Sequence, residues 1–123
     1  MTEHKLLAPC VKLMRSELPT GWVVVKHADS FTSGWPDVSV TGLRRTTLWE
    51  FKHGPKVKWA NALQQLTCRR LAAAGYSCLI VLYQETEAER RTVILTPDEV
   101  EVGATIGFSH EFVVNFVRNL HVA

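Results

Sequence analysis

The run Leu79-Ile80-Val81-Leu82 constrains the fold of this chain more than any other segment. Four apolar residues in succession, with no polar residue between them, are typical of a strand that is buried on both faces. Such a strand lies inside a sheet, and the sheet needs a layer of structure on each side. We therefore expect a sheet with helices packed against both of its faces.

Two segments before this run carry apolar residues at helical spacing. Residues 3–17 and residues 59–74 both repeat apolar side chains every three or four positions. Thr2 is a candidate N-cap for the first helix, and Pro19 with Gly21 ends it. Gly75 follows the second helix and is expected to cap its C-terminus, since glycine adopts the left-handed conformation that such caps require.

The remaining segments predict strands and one more helix. Residues 22–25, 38–40 and 48–51 have strand composition, and the last two form a hairpin that turns at Thr41-Gly42. Residues 28–35 have the composition of a loop. Residues 92–95 predict an edge strand, residues 97–100 begin a turn or short helix, and an amphipathic helix contains Phe112, Phe116 and Leu120.

The predicted order is α-β-β-β-α-β followed by a β-α tail, which corresponds to a three-layer α/β fold with a mixed sheet. A length of 123 residues suits one domain over residues 1–123. The hydrophobic content of 46% and charged content of 21% are those of an ordinary soluble globular protein. The net charge of +2 permits nucleic-acid binding without requiring it, because a local basic patch matters more than the total.

The cysteines argue against two kinds of stabilising site. Cys10, Cys68 and Cys78 are odd in number and lack CxxC spacing, which disfavours a disulfide framework and a structural zinc ion. We expect Cys10 and Cys78 to be buried thiols in a reducing compartment. No segment approaches the ~20 apolar residues of a membrane span, and the N-terminus lacks a signal core. These features predict a cytoplasmic protein, bacterial or phage-encoded in a bacterial host.

The residues that indicate a catalytic site lie at the ends of two predicted strands. Pro36-Asp37 opens the second strand, and Glu50-Phe51-Lys52 closes the third. Because alternate residues of a strand share a face, Lys52 lies on the same side as Glu50. Mg²⁺ prefers carboxylate oxygens and retains several waters. Two carboxylates and an ammonium at one sheet edge therefore suit metal-dependent cleavage of a phosphodiester.

Motifs of several other enzyme classes are absent from the sequence. There is no GxGxxG, no Walker loop and no serine-centred elbow. The histidines show neither HxxxH nor HNH spacing, which disfavours a zinc nuclease or a ββα-metal nuclease.

The order of elements, with Pro-Asp opening one strand and Glu-x-Lys closing the next, resembles the PD-(D/E)xK nuclease superfamily and its restriction-endonuclease-like core. The pattern is most similar to the VRR-NUC branch, which combines Gly-x-Pro-Asp, Glu-x-Lys, a helical glutamine and a closing Leu-x-x-x-Gly. The matching segments are Gly34 to Asp37, Glu50 to Lys52, Gln64 or Gln65, and Leu71 to Gly75. The similarity spans roughly residues 3–83.

The resemblance implies a DNA endonuclease that depends on Mg²⁺ or Mn²⁺. It implies metal ligation by Asp37, Glu50 and the backbone carbonyl of Phe51. It also implies catalytic roles for Lys52 and for a helical glutamine, which is Gln64 or Gln65. An acidic residue on the first helix completes the family's site, and here Glu3 fits best, with Glu17 as the alternative.

Several residues are candidates for contact with the DNA backbone. Gly34 lacks a Cβ and so lets the main chain approach a phosphate closely. Basic side chains would give a salt-dependent affinity, although such residues often form only a solvated face. The candidates are Gly34, Arg44, Arg45, Lys56, Lys58 and Arg69.

Relatives of this size resemble nucleases that cut branched DNA such as Holliday junctions. Resolving a four-way junction needs two symmetric nicks, so the resemblance implies a homodimer with two-fold symmetry. The C-terminal helix, with Phe112, Phe116 and Val117, either forms the interface or caps the sheet. The alternatives are a flap-cutting, nicking or restriction-like nuclease that uses the same site, and a catalytically silent DNA-binding module.

Overall fold

The computed structural model describes residues 3–27 and 34–123, apart from the side chain of His4. Its helices are α1 (Glu3–Glu17), α2 (Ala62–Ala73) and α3 (His110–Val122). Its strands are β1 (Val23–Lys26), β2 (Val38–Gly42), β3 (Arg45–Gly54), β4 (Ser77–Glu85), β5 (Arg90–Leu95) and β6 (Glu101–Ile106). None of the described helices is long and apolar enough to cross a membrane. The predicted N-cap Thr2 and the predicted loop residues 28–33 lie outside the described residues.

The six strands form one mixed sheet whose spatial order follows the chain order. Strands β3 and β4 are parallel, and every other neighbouring pair is antiparallel. A parallel pair requires a long crossover connection, and α2 supplies it. This crossover leaves α2 on one face of the sheet, opposite the other two helices.

Helices cover both faces of the sheet, which confirms the predicted α/β class. On one face, α1 and α3 bury a large core that includes Met14, Phe51, Val81 and Val117. On the other face, α2 packs Cys68 against Leu48 and Cys78. The apolar run of β4 is buried from both sides, because Val81 faces the first core while Ile80 and Leu82 pack with Val57, Val93 and Leu95 on the opposite face.

Strand β6 corrects the prediction that residues 92–95 form an edge strand. β6 pairs antiparallel with β5, and β6 rather than β5 lies at the end of the sheet. The sequence does not indicate β6 because Gly103 and Ala104 have low strand propensity. Gly103 is small for a packing reason, since a Cβ there would lie 2.7 Å from Cε2 of Phe116. Residues 97–100 form the turn that joins the two strands.

The hairpin between β2 and β3 turns two residues later than predicted. Gly42 is still paired with Arg45, so the turn residues are Leu43 and Arg44 rather than Thr41 and Gly42. Both turn residues have positive φ, 53° and 63°. Two consecutive residues of this conformation make the tight turn whose twist matches that of an antiparallel hairpin.

Helix α2 begins three residues later than the predicted position 59. Asn61 is its N-cap, and the Asn61 side chain accepts a hydrogen bond from the Gln64 backbone at 3.0 Å. The helix ends at Ala73, and Gly75 follows with a φ of 103°, as predicted for a C-terminal glycine.

Helix α3 caps the sheet. Val113, Val114 and Val117 are buried, while Phe112 and Phe116 are partly buried against the same core. Of the two roles that the sequence left open for this helix, capping the sheet is the one that these contacts show. The three cysteines are free and buried, as predicted for Cys10 and Cys78.

Candidate active site at the ends of strands β2 and β3

The acidic residues of the two predicted strand ends lie side by side. Val38 pairs with Trp49, so Asp37, which precedes Val38, lies next to Glu50 on the neighbouring strand. The Asp37 carboxylate reaches across the strand gap, and its Oδ2 accepts a hydrogen bond from the Phe51 backbone N–H at 2.8 Å. This bond fixes the direction in which the Asp37 carboxylate points.

Glu50 is a buried acid next to another acid. Its side chain is 1% exposed, and Oε1 has no hydrogen-bond partner within the part of the chain that the structure describes. Burial and, secondarily, the Asp37 carboxylate raise the pKa of Glu50 to about 9, although Lys52 partly opposes this rise. Glu50 therefore holds a proton at neutral pH when no metal ion lies beside it.

Lys52 is held by three neighbours. Its Nζ donates to Oε1 of Gln64 at 2.7 Å and lies 3.4 Å from Oε2 of Glu50. The ring of Trp59 lies 5.7 Å from Nζ, within range of a cation–π attraction. The side chain is only 5% exposed. The ammonium is thus fixed beside Glu50 instead of extending into solvent.

The two glutamines of α2 occupy different surroundings. Oε1 of Gln64 accepts from Lys52 and also from the Ala60 backbone at 3.1 Å. Gln65 turns away from the carboxylates and donates to the carbonyl of Pro97 at 3.1 Å. Of the pair that the sequence left open, Gln64 is the residue that contacts Lys52.

The carboxylate pair fits a hard divalent cation. Asp37 and Glu50 offer oxygen ligands, and the orphaned Oε1 of buried Glu50 is an acceptor that a cation would satisfy. Within residues 3–27 and 34–123, no three or more His, Cys, Asp or Glu residues form a group that could hold a metal ion. Mg²⁺ suits such a sparse site because it commonly keeps several waters and takes only one or two carboxylates. The Phe51 carbonyl stays a predicted ligand.

The predicted acid on α1 has two very different candidate positions. The chain leaves α1 and enters β1 at Val23, which pairs with Thr41 near the β2–β3 hairpin. The last turn of α1, with Glu17, therefore lies at the hairpin end of the sheet, far from Asp37. Glu3 begins the helix and is exposed, and it does not form a three-acid group with Asp37 and Glu50. Its catalytic role stays a prediction.

The predicted DNA-binding residues fall into two groups. Lys56 and Lys58 are exposed in the connection that follows β3, at the end of the sheet where Lys52 lies. Arg44 and Arg45 lie at the hairpin, at the other end of the same strand. Arg69 is exposed on α2 and forms an ion pair with Asp98 at 2.8 Å. Their contact with DNA stays a prediction.

Gly34 approaches protein main chain closely. It has a φ of 84°, and a Cβ at this position would lie 3.1 Å from Oγ1 of Thr67 and 3.2 Å from the carbonyl oxygen of Leu63. The glycine thus lets the segment leading to Pro36 and Asp37 pack against α2. This contact gives the residue a packing role beside the predicted approach to a phosphate.

Trp59 is the site residue that sequence reasoning missed. It belongs to the connection before α2, and its Nε1 is buried without a hydrogen-bond partner among the described residues. The available signal was Asn61, a preferred N-cap residue. An N-cap at position 61 places Trp59 outside the helix, in the segment that follows the end of β3 and Lys52.

Comparisons with known proteins find likeness to solved structures. No protein-family model matches the chain, and no curated protein does. Among solved structures, the chain is similar to the 1.6 Å structure of Archaeoglobus fulgidus Hjc, a Holliday junction resolvase from an archaeal hyperthermophile. The identity is 16%, the match covers 72% of each chain and the TM-score is 0.46.

Proposed function

We propose that this chain is a Mg²⁺- or Mn²⁺-dependent endonuclease that hydrolyses phosphodiester bonds in DNA. The observation that carries the proposal is the convergence of three groups: Asp37 and Glu50 lie side by side, and the Lys52 ammonium lies 3.4 Å from Glu50. This combination provides oxygen ligands for a cation and a fixed positive charge for the phosphate.

Each of these residues has a distinct role in the proposed reaction. A divalent ion held by Asp37 and Glu50 supplies Lewis-acid activation of the scissile phosphate and of water. The Lys52 ammonium orients the attacking water or stabilises the charge that develops on the phosphate oxygens. Gln64 holds that ammonium in position through its 2.7 Å hydrogen bond. The Phe51 backbone N–H holds the Asp37 carboxylate in place.

The proposed substrate is branched DNA, such as a Holliday junction. This narrower proposal rests on the similarity of the Gly34–Asp37, Glu50–Lys52 and Gln64 pattern to VRR-NUC nucleases. Each chain carries one such site, so two symmetric nicks need two chains, and we propose a two-fold homodimer. Light scattering on the eluting protein tests the dimer, because a stable 13.9 kDa species at micromolar concentration would contradict it.

A substrate panel tests the nuclease proposal. Junction, flap, splayed-arm and duplex DNA are incubated with Mg²⁺, with Mn²⁺ and with EDTA. We expect metal-dependent cleavage that prefers the junction and falls at least about 100-fold in Asp37→Asn and Lys52→Ala. Asp98→Asn, which alters an exposed acid paired with Arg69, is the matched control and should cleave normally.

The outcomes of this panel separate the alternatives. Equal cleavage by the wild type and both site variants would refute the assigned site. Preference for flap or duplex substrates, with the same sensitivity to Asp37→Asn, would keep the site and change the substrate. Retained junction binding without cleavage of any substrate would indicate a catalytically silent DNA-binding module.

A further inference from the structure

The β2–β3 hairpin presents an arginine from a strained turn. Leu43 and Arg44 have φ values of 53° and 63°, in the left-handed region where side chains other than Gly, Asn and Asp are uncommon. Tight hairpin turns of this kind usually contain Asn-Gly or Asp-Gly. Strained positions that persist in a fold often serve a ligand. The conformation of Arg44 is therefore consistent with a ligand-binding role for the surface beside the turn.

A cationic cavity of about 370 Å³ lies beside this turn. Arg45 is anchored there, because its Nη1 donates to the carbonyl of Leu120 at 3.0 Å. Arg44 is exposed and makes no hydrogen bond or ion pair with any residue that the structure describes. Thr46, Tyr76 and Ser77 add hydroxyl groups to the lining, and no acidic side chain lines the cavity. Two guanidinium groups with hydroxyls and no carboxylate are suited to a phosphate.

Part of the sheet surface between the Asp37–Glu50 pair and the β2–β3 hairpin, which borders this cavity, is exposed. Val38 and Val40 face the core under α1, so Ser39 and Thr41 lie on the opposite face, the face that carries Glu50. Val23 and Val25 pair with Thr41 and Ser39, and they are 54% and 41% exposed. On this side of the sheet Val23, Val25 and Thr41 are thus exposed, while Ser39 is half-buried.

We propose that the Arg44–Arg45 cavity binds a backbone phosphate of the same DNA duplex that is cut at Asp37 and Glu50. This inference rests on the proposed nuclease function and specifies how the substrate is held. Lys52 lies seven positions after Arg45 on β3, about 23 Å along an extended strand. The odd spacing turns the Arg45 side chain to the α3 face, and exposed Arg44 lies in the turn at the end of the sheet. At roughly 3.4 Å per base pair, the second phosphate lies about seven base pairs from the cut. The pocket thereby sets a minimum length for the duplex arm on that side.

Salt-dependent binding tests the phosphate contact without relying on cleavage. Fluorescence anisotropy in EDTA gives the affinity for a labelled duplex at several salt concentrations. We expect Arg44→Ala to weaken binding roughly tenfold at low salt. It should also reduce the slope of log affinity against log salt by about one, because one phosphate contact is lost. Lys12→Ala removes the same charge from an exposed position of α1, against the opposite sheet face, and should leave the slope unchanged.

A glycine substitution separates binding from folding. Glycine adopts positive φ without strain, so Arg44→Gly should keep or raise the melting temperature while weakening DNA binding as much as Arg44→Ala does. A variant that binds DNA like the wild type would show that the guanidinium is not needed. That result would overturn the inference even though the turn remains intact.

A length series tests the predicted spacing. The cleavage rate of the wild type is measured on substrates whose arms range from about four to sixteen base pairs. We expect this rate to rise near seven base pairs. Arg44→Ala should lose this rise and cut long arms as slowly as short ones. If both proteins show the same length dependence and the same salt slope, the pocket inference is wrong while the nuclease site stands. If the wild type cuts nothing but Arg44→Ala still reduces the salt slope, the phosphate contact stands and the nuclease proposal falls.

Discussion

At the scale of single residues, the shortest contact of the Lys52 ammonium is with a neutral hydrogen-bond acceptor. Gln64 Oε1 lies 2.7 Å from Nζ, while the nearer carboxylate oxygen of Glu50 lies at 3.4 Å. The same Gln64 oxygen accepts from the Ala60 backbone, so the start of α2 and the end of β3 are tied through one side chain. Displacing this oxygen frees the ammonium from its position beside the carboxylates.

Gln64→Ala should therefore lower the cleavage rate at saturating DNA by about 10- to 100-fold, since a hydrogen bond to a charged group contributes about 1.5–3 kcal/mol. DNA affinity should change little, because Gln64 acts through Lys52. The adjacent variant Gln65→Ala removes only the bond to the Pro97 carbonyl and should cleave normally. Single-turnover rates for the two variants check the prediction, and equal rates would contradict it.

The protonation of Glu50 predicts how stability depends on pH when metal is absent. In the folded chain, burial and Asp37 raise the pKa of Glu50 to about 9, whereas the unfolded chain releases this proton near 4.5. Between these values the folded state binds more protons than the unfolded state, so the free energy of unfolding falls as pH rises. Below about pH 4.5 both states hold the proton, and the contribution to the slope disappears.

Glu50→Gln tests this contribution, because glutamine cannot titrate. In EDTA, the wild type should lose stability relative to Glu50→Gln as pH rises from about 5 to 9. Adding Mg²⁺ should restore wild-type stability at the high end of this range and leave Glu50→Gln almost unchanged. Chemical denaturation at each pH measures the difference. A stability difference between the two proteins that does not vary with pH would contradict the raised pKa.

The residues of the site were predictable from the sequence to different degrees. Strand periodicity was enough to place Glu50 and Lys52 on one face, and the hairpin brought Asp37 beside Glu50. Choosing between Gln64 and Gln65 required knowing which face of α2 each residue occupies. That depends on where the helix begins, which the Asn61 cap sets. The nearness of Trp59 to Lys52 depends on the path of an irregular connection, which no sequence period describes.

At the scale of secondary-structure elements, the most buried strand was predicted correctly, whereas the edge strand and the hairpin turn were not. Strand β4, with its uninterrupted apolar run, is confirmed as an interior strand, because its residues face two cores. Strand β6 was not predicted because its sequence reflects packing under α3 more than strand propensity. Gly103, for example, is a poor strand former that leaves room for Phe116 of α3. The hairpin turn was misplaced because Leu43 and Arg44 are unusual residues for positive φ.

The contact between α2 and the segment before β2 predicts an effect of Gly34→Ala. The new Cβ would lie 3.2 Å from the Leu63 carbonyl oxygen in a left-handed backbone, so the variant should lose about 1–3 kcal/mol of stability. Because Asp37 follows on the same segment, metal affinity should fall as well. Denaturation and metal titration of the variant measure both effects.

Gly107→Ala is the matched control for this prediction. Gly107 has a φ of 79°, close to the 84° of Gly34, but a Cβ there meets nothing within 4 Å. It should therefore show the backbone strain without the steric contact, and it should keep the metal affinity of the wild type. Equal effects of the two substitutions on metal affinity would show that Gly34 does not help to position Asp37.

At the scale of the whole molecule, one sheet separates two chemically distinct ends. The Asp37–Glu50 pair lies at one end of β3, and the two hairpin arginines lie at the other. On the α2 side, the exposed residues Val23 and Val25 of β1 lie along the sheet between these two ends. This distribution of charge suits a duplex that is cut at the acidic end and held by a phosphate at the basic end.

The central claim is that Asp37 and Glu50 together bind a divalent cation. Isothermal titration of Mn²⁺ into the metal-stripped protein tests this claim without DNA. We predict one ion per chain, with affinity lowered at least about tenfold in Asp37→Asn and in Glu50→Gln and unchanged in Asp98→Asn. Wild-type protein that binds no ion, or an Asp37→Asn variant that binds it as tightly as the wild type, would contradict the account.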